Sequence, residues 1–360
     1  MADNLLTRPM TAEDLGRFGR CFERNGSPRP AAAVAWQYDR GPDVPVMAEL
    51  SVQATDGALP AGEIAAIYAV APVPMQVGTR RVWGAQSLDT MTDARHRGRG
   101  LFKTLAAAVY GRCAEAGFRL VYGFPNGNSA PGFFGRLGWV EIAPVPFKVV
   151  PLRSRYLARR VPRVGALLGR LPDLPLRRAK TVAPAHAARI RPLDLRAPDA
   201  LDAAGALWAG VAAPVAVVRD AAYLRWRFAD KPGESYAALG YHDAAGLAGY
   251  VVYTVKEKHG GRVGYVMEML HRPGRDDAGR ALLRAALDAM ARERADVCLA
   301  WSFDHAPNAP AHRAAGFRTL PERLRPIELH FGALVLDEAE RARLTDARSW
   351  YLSYCDSDTV

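Results

Sequence analysis

Between Thr90 and Trp139 the chain reads TMTDARHRGRGLFKTLAAAVYGRCAEAGFRLVYGFPNGNSAPGFFGRLGW. Arg95, Arg97 and Arg99 are interleaved with Gly98 and Gly100, directly ahead of an apolar-periodic run that begins at Leu101. The first N–H groups of a helix have no acceptor within it, and glycines let a charged group approach the backbone with no Cβ in the way. The amides from Arg97 to Phe102, with arginines beside them, therefore form a place for phosphate.

The surrounding pattern supplies the elements that must hold such a loop. Leu101, Leu105, Ala108, Val109, Cys113 and Ala116 recur at helical spacing, and Gly117 is the stop signal. A strand precedes Asp93, the strand FRLVYGF follows the helix, and NSAPGFFGRLGW reads as an Asn-rich turn and a short helix ending in Gly138-Trp139. The same order recurs later: strand GYVMEML, helix GRALLRAALDAMARERA, strand DVCLAWS, then NAPAHRAAGF. Upstream of each copy stands Trp-x-aromatic-x-x-x-Pro, with Trp36, Tyr38 and Pro42 corresponding to Trp226, Phe228 and Pro232. Two lobes of one ancestry follow, each a mixed sheet covered by helices.

The 360 residues suffice for two domains, and no apolar run is long enough for a membrane span. The start MADNLLTRPM lacks the order of a signal peptide, so a soluble cytoplasmic protein is expected. Cys21, Cys113, Cys298 and Cys355 are far apart with no His at ligand spacing, which points to thiols and to no metal site. The net charge of +11 is concentrated in Arg153–Arg191, which holds eleven Lys or Arg against one acid, Asp173. That stretch reads as a solvated connector, with a weak contact to an anionic membrane as the alternative use of 153–191; it lacks the aromatic interleaving of a single-strand nucleic-acid binder. The boundaries are 1–152 for the first lobe, 153–190 for the connector and 191–360 for the second lobe with its tail.

The segment from Thr90 to Trp139 resembles the GNAT acyltransferase superfamily, whose acyl-CoA motif, Arg/Gln-x-x-Gly-x-Gly/Ala, matches Arg95, Gly98 and Gly100. The resemblance implies an α/β fold of two GNAT-like lobes, each a mixed, mostly antiparallel sheet flanked by helices. It implies acetyl-CoA or another acyl-CoA as co-substrate, and direct acyl transfer to a primary amine of a small molecule or peptide. On this reading Thr92, Arg95, Arg97, Gly98, Arg99, Gly100, Leu101, Phe102 and Asn128 hold the cofactor. Two departures matter. Asp276 and Asp277 stand where the second lobe would hold phosphates, which makes that lobe a degenerate copy. Phe134 stands where many relatives place a proton-donating tyrosine, and its counterpart His312 reads as a surface histidine. A base for the amine is sought among carboxylates: Asp89 on the central strand first, then Asp356 and Asp358, which an extended tail turns the same way, and Glu268 as a weaker choice. Trp350, Tyr351 and Tyr354 are too apolar for a loose tail, so the tail is expected to dock across the cleft between the lobes. A Fem-type transferase using aminoacyl-tRNA and a non-catalytic acyl-CoA binder are the alternative readings.

Overall fold

The computed structural model describes residues 4–41, 43–154, 156, 174–176, 182–325 and 327–360. Most of the basic connector, and Pro42 of the first Trp motif, lie outside the described residues.

One compact unit begins with β1 (Leu5–Pro9), α1 (Leu15–Arg24), α2 (Ala31–Tyr38), β2 (Met47–Gln53), β3 (Ile64–Val77) and β4 (Arg80–Thr92). It continues through α3 (Leu101–Glu115), β5 (Leu120–Gly123), α4 (Ala130–Arg136) and β6 (Val140–Pro144). The run IAAIYAV of β3 is apolar at every position because both faces of the strand are covered. Ile67 and Ala69 pack with Phe18, Phe22, Val34 and Tyr38 of α1 and α2, whereas Tyr68 and Val70 pack with Leu105, Val109 and Cys113 of α3. Helix α3 starts and stops where its glycines do. Gly100 precedes it at φ +77°, and Gly117 follows at φ +78° with Phe118 N–H donating back to the Cys113 carbonyl at 2.9 Å. Its buried face is Leu105, Ala106, Val109 and Cys113, while Ala116 is exposed.

The other unit repeats this order of elements. After β7 (Phe147–Pro151) come β8 (Ile190–Pro192), α5 (Pro198–Trp208), β9 (Val215–Val217) and α6 (Ala221–Leu224), which continues as a wider turn to Ala229. Then follow β10 (Ala237–Asp243), β11 (Gly246–Lys258), β12 (Gly261–His271), α7 (Asp276–Arg292), β13 (Val297–Trp301), α8 (Ala309–Ala315) and β14 (Arg318–Thr319). Leu282, Leu283, Ala286, Leu287 and Met290 of α7 pack into this unit's core. Both Trp motifs are helical, with Tyr38 and Phe228 buried.

Each unit borrows one strand from the other half of the chain. The first sheet runs β1-β2-β3-β4-β5-β15-β6, with β15 (His330–Val335) from near the end of the chain. The second runs β14-β7-β13-β12-β11-β10-β8, with β7 from just after the first lobe. The units accordingly comprise 1–144 with 231–233 and 329–347, and 145–230 with 234–328 and 348–360, so they do not coincide with boundaries at 152 and 191. The physical reason is edge closure. Strands β5 and β13 would each present unpaired backbone groups, and the antiparallel partners Gly332↔Gly123 and Leu299↔Val149 cover them. Both sheets are mixed: β4–β5 and β12–β13 pair in parallel, whereas β2–β3, β3–β4 and β11–β12 pair antiparallel.

Candidate functional site

In the first unit, β4 and β5 form a fork. Their parallel pairing consists of Ala85↔Val121 and Gln86↔Tyr122, after which β5 ends and β4 runs on to Thr92. At the crotch the strands still touch, since a Cβ added to Gly123 would lie 3.3 Å from Ser87 Cβ and 3.3 Å from the Trp139 ring. The next two residues are a β-bulge. Tyr68 pairs with Thr90 and Val70 with Ser87, so Leu88 and Asp89 stand opposite Ala69 alone and the regular ladder is interrupted.

Beyond Thr92 the chain turns into the glycine loop. Asp93 is buried, caps the short turn Ala94–His96, and accepts from the Arg95 backbone N–H at 3.1 Å and from Arg95 Nε at 3.0 Å. Arg95 Nη1 also donates to the Ala58 carbonyl at 3.1 Å. Arg95 is thus folded back to brace the loop rather than aimed outward with its neighbours, because a buried carboxylate demands a cation. From α1, Asn25 Nδ2 lies 3.4 Å and Arg24 Nε 3.5 Å from the same carboxylate. Burial alone would raise the carboxyl of Asp93, but Arg95 and Asn25 outweigh it and hold it down at about 2. His96 is buried with no hydrogen-bond partner on either ring nitrogen among the described residues, and burial lowers its pKa, which keeps it neutral.

Gly98 at φ +80° and Gly100 at φ +77° both occupy the left-handed region, and a Cβ on either would meet nothing within 4 Å. The glycines are required by backbone conformation, and the space above them is open. Among the described residues, the amides of Arg97, Gly98, Gly100, Leu101 and Phe102 donate to no protein acceptor, whereas Lys103 and Thr104 already donate to Gly100 O at 3.0 and 3.1 Å. Five free donors at the start of a 15-residue helix make an anion cradle. Arg97 and Arg99 are exposed beside it, with Arg97 Nε 3.4 Å from the Thr92 carbonyl.

The remaining candidates fall elsewhere. Asn128 is exposed in the turn before α4, its amide bonded to Asn126 Oδ1 at 3.0 Å. The Phe134 ring packs on Gly332, where an added Cβ would come within 2.5 Å of it. Asp89 is buried on the α1–α2 side, paired with Arg29 and accepting from Tyr38 Oη at 2.6 Å. These two contacts hold Arg29 and Tyr38 against β4.

The equivalent places in the second unit are filled. Arg275 bonds Asp277 at 2.9 Å and pairs with Asp243, and the two acids Asp276 and Asp277 occupy the first turn of α7. The fork of β12 and β13, whose last parallel pair is Val266↔Ala300, is plugged by the tail. Tyr354 stacks on Trp301 at 4.4 Å, and Tyr351 Oη donates to Glu268 Oε1 at 2.5 Å. Tyr351 N–H donates to the Val215 carbonyl at 3.0 Å. The tail therefore docks in this unit's own core.

Two arginines that the sequence did not single out hold it there. Arg219, fully buried, reaches Glu268 at 2.9 Å and Asp356 at 2.6 Å, while Arg227 reaches the Cys355 carbonyl at 3.0 Å and the Ser357 carbonyl at 2.5 Å. Burial opposes the charge of Glu268, but Arg219 and the hydroxyls of Tyr351 and Ser353 hold its carboxyl below the ordinary value; Asp356, next to the same arginine, is pushed up by burial. The expected shared face of Asp356 and Asp358 is corrected: a 3-10 turn over Tyr354–Asp356 buries the first and leaves the second exposed. Glu268 and Asp356 are ion-pair partners in a core, not free bases. His312 is likewise not a surface residue; it is buried, its pKa is pushed down to about 4 by burial, and it lines a cavity of about 120 Å³ with Lys148, Ser302 and Thr319. All four cysteines are buried free thiols. Among the described residues no cluster of three or more His, Cys, Asp or Glu could hold a metal ion, and no helix is long and apolar enough to cross a membrane.

Residues 18–142 match the family described as acetyltransferase (GNAT) domain. No curated protein matches the chain. Among solved structures, a probable N-acyltransferase of unknown function from Enterococcus faecalis V583 is similar over 95% of this chain and 75% of its own, with TM-score 0.62 and 11% identity. A GCN5-related N-acetyltransferase from Anabaena variabilis covers the same shares at TM-score 0.58 and 11% identity. The N-myristoyltransferase of Saccharomyces cerevisiae, solved with myristoyl-CoA and inhibitors, matches 93% of this chain and 80% of its own at TM-score 0.56 and 12% identity. At such identities these structures speak to fold, and the fold they share has two lobes. Residues 18–142 are thus a GNAT acetyltransferase domain, and the two mixed sheets of the chain have the fold of these structures.

Proposed function

We propose that this enzyme transfers an acetyl or other short acyl group from acyl-CoA to a primary amine of a small molecule or peptide, and that the first unit alone loads the donor. The observation that carries the reading is the set of five open amides beneath two left-handed glycines at the start of α3. A pyrophosphate is a dianion that needs such donors and no metal. Arg97 and Arg99 add attraction, and Arg95 holds the loop in shape through Asp93. The loop continues β4, so a donor anchored on it lies beside the bulge at Leu88 and Asp89. The amine then attacks the thioester directly, with proximity supplying much of the rate. A cytoplasmic setting goes with an acyl-CoA donor.

Native mass spectrometry with mixed acyl-CoAs, followed by thiol-release assays against pooled amines, tests donor and then acceptor. The expected result is one acyl-CoA per chain and thiol release with at least one amine class; a chain that retains no acyl-CoA overturns the reading. Phe134, which has no proton to give, favours a second reading in which acyl-CoA binds without turnover. That reading predicts retention with no thiol release across the whole panel. The open loop weighs against the aminoacyl-tRNA alternative, which filter binding of tRNA against CoA decides.

A further inference from the structure

A buried chain of polar groups crosses the first unit, and the Tyr68 ring within it lies 5.9 Å from that of Phe102 at the anion loop. Trp139 Nε1 donates to Tyr110 Oη at 2.8 Å, Tyr110 Oη lies 2.6 Å from Tyr68 Oη, and Tyr68 Oη lies 3.1 Å from Ser87 Oγ. The four residues come from the segment after α4, from α3, from β3 and from β4. An indole N–H can only donate, so the Tyr110 oxygen accepts at that end. The Tyr110 proton then has one acceptor among the described residues, the Tyr68 oxygen, and the Tyr68 proton passes to Ser87 Oγ. The reverse polarity would strand the Tyr110 proton with no acceptor in the protein. In the satisfied arrangement the one proton left over belongs to Ser87. Burial raises both phenols, Tyr110 to about 12, so they remain protonated donors near neutral pH.

Ser87 is the half-buried end of this chain and sits at the crotch of the fork, one residue before the bulge. Among the described residues the second unit has no counterpart of this Trp–Tyr end: the residue after its α8 cap glycine is Phe317, and α7 packs Ala286 and Leu287 into the core.

Resting on the acyltransferase reading, we infer that Ser87 Oγ–H is the donor to the thioester sulfur as it leaves, a role Phe134 cannot fill, with Tyr68, Tyr110 and Trp139 positioning it. In the step, the amine nitrogen forms the C–N bond, the C–S bond breaks, and its electron pair goes to sulfur. Ser87 hydrogen-bonds the thiolate without surrendering its proton, and the proton lost by the amine goes to water. Relay polarisation strengthens the last donor of such a chain.

The test uses the full chain with acetyl-CoA and whichever amine of a panel supports turnover. Ser87→Ala lowers kcat about tenfold, the scale of one lost hydrogen bond to a charged group, with acetyl-CoA affinity unchanged. Ser87→Thr, which keeps the hydroxyl, restores most of it. Tyr110→Phe falls to a similar level, and Ser87→Ala combined with Tyr110→Phe is no worse than either alone, because one path is removed once. Circular dichroism and acetyl-CoA titration confirm that each variant is folded. Wild-type kcat in Ser87→Ala, or additive losses in the double variant, overturns the relay while leaving the acyltransferase reading intact. No thiol release by the wild-type chain overturns that reading and the relay with it.

Discussion

The loops that lead into α3 and α7 are built alike, yet one is open to an anion and the other is closed. Each pairs an arginine with an acid two residues away. In the first unit the acid precedes the arginine: Asp93 is buried beneath Arg95, ahead of the glycines, and the amides beyond them stay clear. In the second the acid follows: Asp277 draws Arg275 onto the first turn of α7, with Asp276 beside it, so negative charge already occupies the helix start. The forks differ in the same sense. That of β4 and β5 ends in a polar serine, whereas that of β12 and β13 is filled by Tyr351 and Tyr354 of the chain's own tail. A shared order of elements therefore fixes where a site can be, and a few side chains decide whether it is used.

The largest break in this comparison is expected at Arg219. It is the cation between Glu268 and Asp356 in the plugged fork, and Arg219→Met leaves two buried carboxylates without it. The expected loss is about 3–5 kcal/mol, read from denaturant unfolding of the full chain. Adding Glu268→Gln and Asp356→Asn to the same variant should recover most of it, since the penalty lies in the uncompensated charge. A triple variant as unstable as the single one would show that the arginine acts through packing on Trp208 and Tyr351 instead. Truncation after Tyr354 would remove Asp356 with the anchor carbonyls of Cys355 and Ser357, so it probes the fold rather than a base.

Next in size is the pair Gly98→Val and Gly274→Val. Both glycines have φ near +80°, at +80° and +77°, and a Cβ on either meets nothing within 4 Å, so the conformational cost is matched at about 1–2 kcal/mol. Acyl-CoA affinity should fall about 100-fold in the first and stay unchanged in the second, by calorimetric titration; the figure combines that strain with one lost amide–phosphate bond. Gly279 is the wrong control, although it too lies near the start of α7. A Cβ there would come within 2.5 Å of His271 and 3.0 Å of Ala311, so the variant would fail by overpacking. Equal affinity in Gly98→Val and wild type removes the loop from cofactor binding.

Asp89→Asn sharpens the comparison more gently. Losing the partner of Arg29 should cost about 1–2 kcal/mol of stability, while the acidic limb of the pH–rate profile stays where it is. Disappearance of that limb would make Asp89 the base after all.

Local signals made much of this legible from sequence. Helix α3 was readable because its apolar spacing and both glycine ends lie within the segment itself, and the glycine loop because positive φ leaves few other residues to choose. The exchanged strands were not, since FKVVP and HFGALV look like any apolar strand and their partners are set by distant edges. The direction of Arg95 depends on Arg24 and Asn25, some seventy residues earlier, acting on the same buried Asp93. Docking of the tail followed from Trp350, Tyr351 and Tyr354, but reading it as extended put Asp356 and Asp358 together. The overlooked signal was Ser353-x-x-Asp356, a capping box that starts a helical turn. Arg219 carried a signal too: a lone arginine closing the apolar run VAVV needs an acid wherever it is buried.

The smallest expected effect concerns the brace under the open loop. The carboxyl of Asp93 is held at about 2, below its ordinary 3.8, and the sign of the linkage follows: a depressed folded pKa adds stability that is fully present above the unfolded value and is lost as pH falls through the folded one. Replacing it by asparagine keeps the shape but not the charge that holds Arg95, so wild type should exceed Asp93→Asn in stability at neutral pH by about 1 kcal/mol. The gap should stay level down to about pH 4 and close between there and about pH 2, where the wild-type carboxyl gains its proton. Asp277→Asn in the second unit carries a similar acid limb, because Arg275 holds that carboxyl below its ordinary value as well. The two variants part in their ligand behaviour. Asp93→Asn should weaken acyl-CoA binding at pH 7 by loosening the loop, and Asp277→Asn should leave it unchanged, since the helix start it relieves faces a fork already filled. A stability gap for Asp93→Asn that is constant from pH 7 to pH 2 would mean that its charge does nothing for Arg95, and that the loop is held by the backbone turn at Ala94–His96 alone.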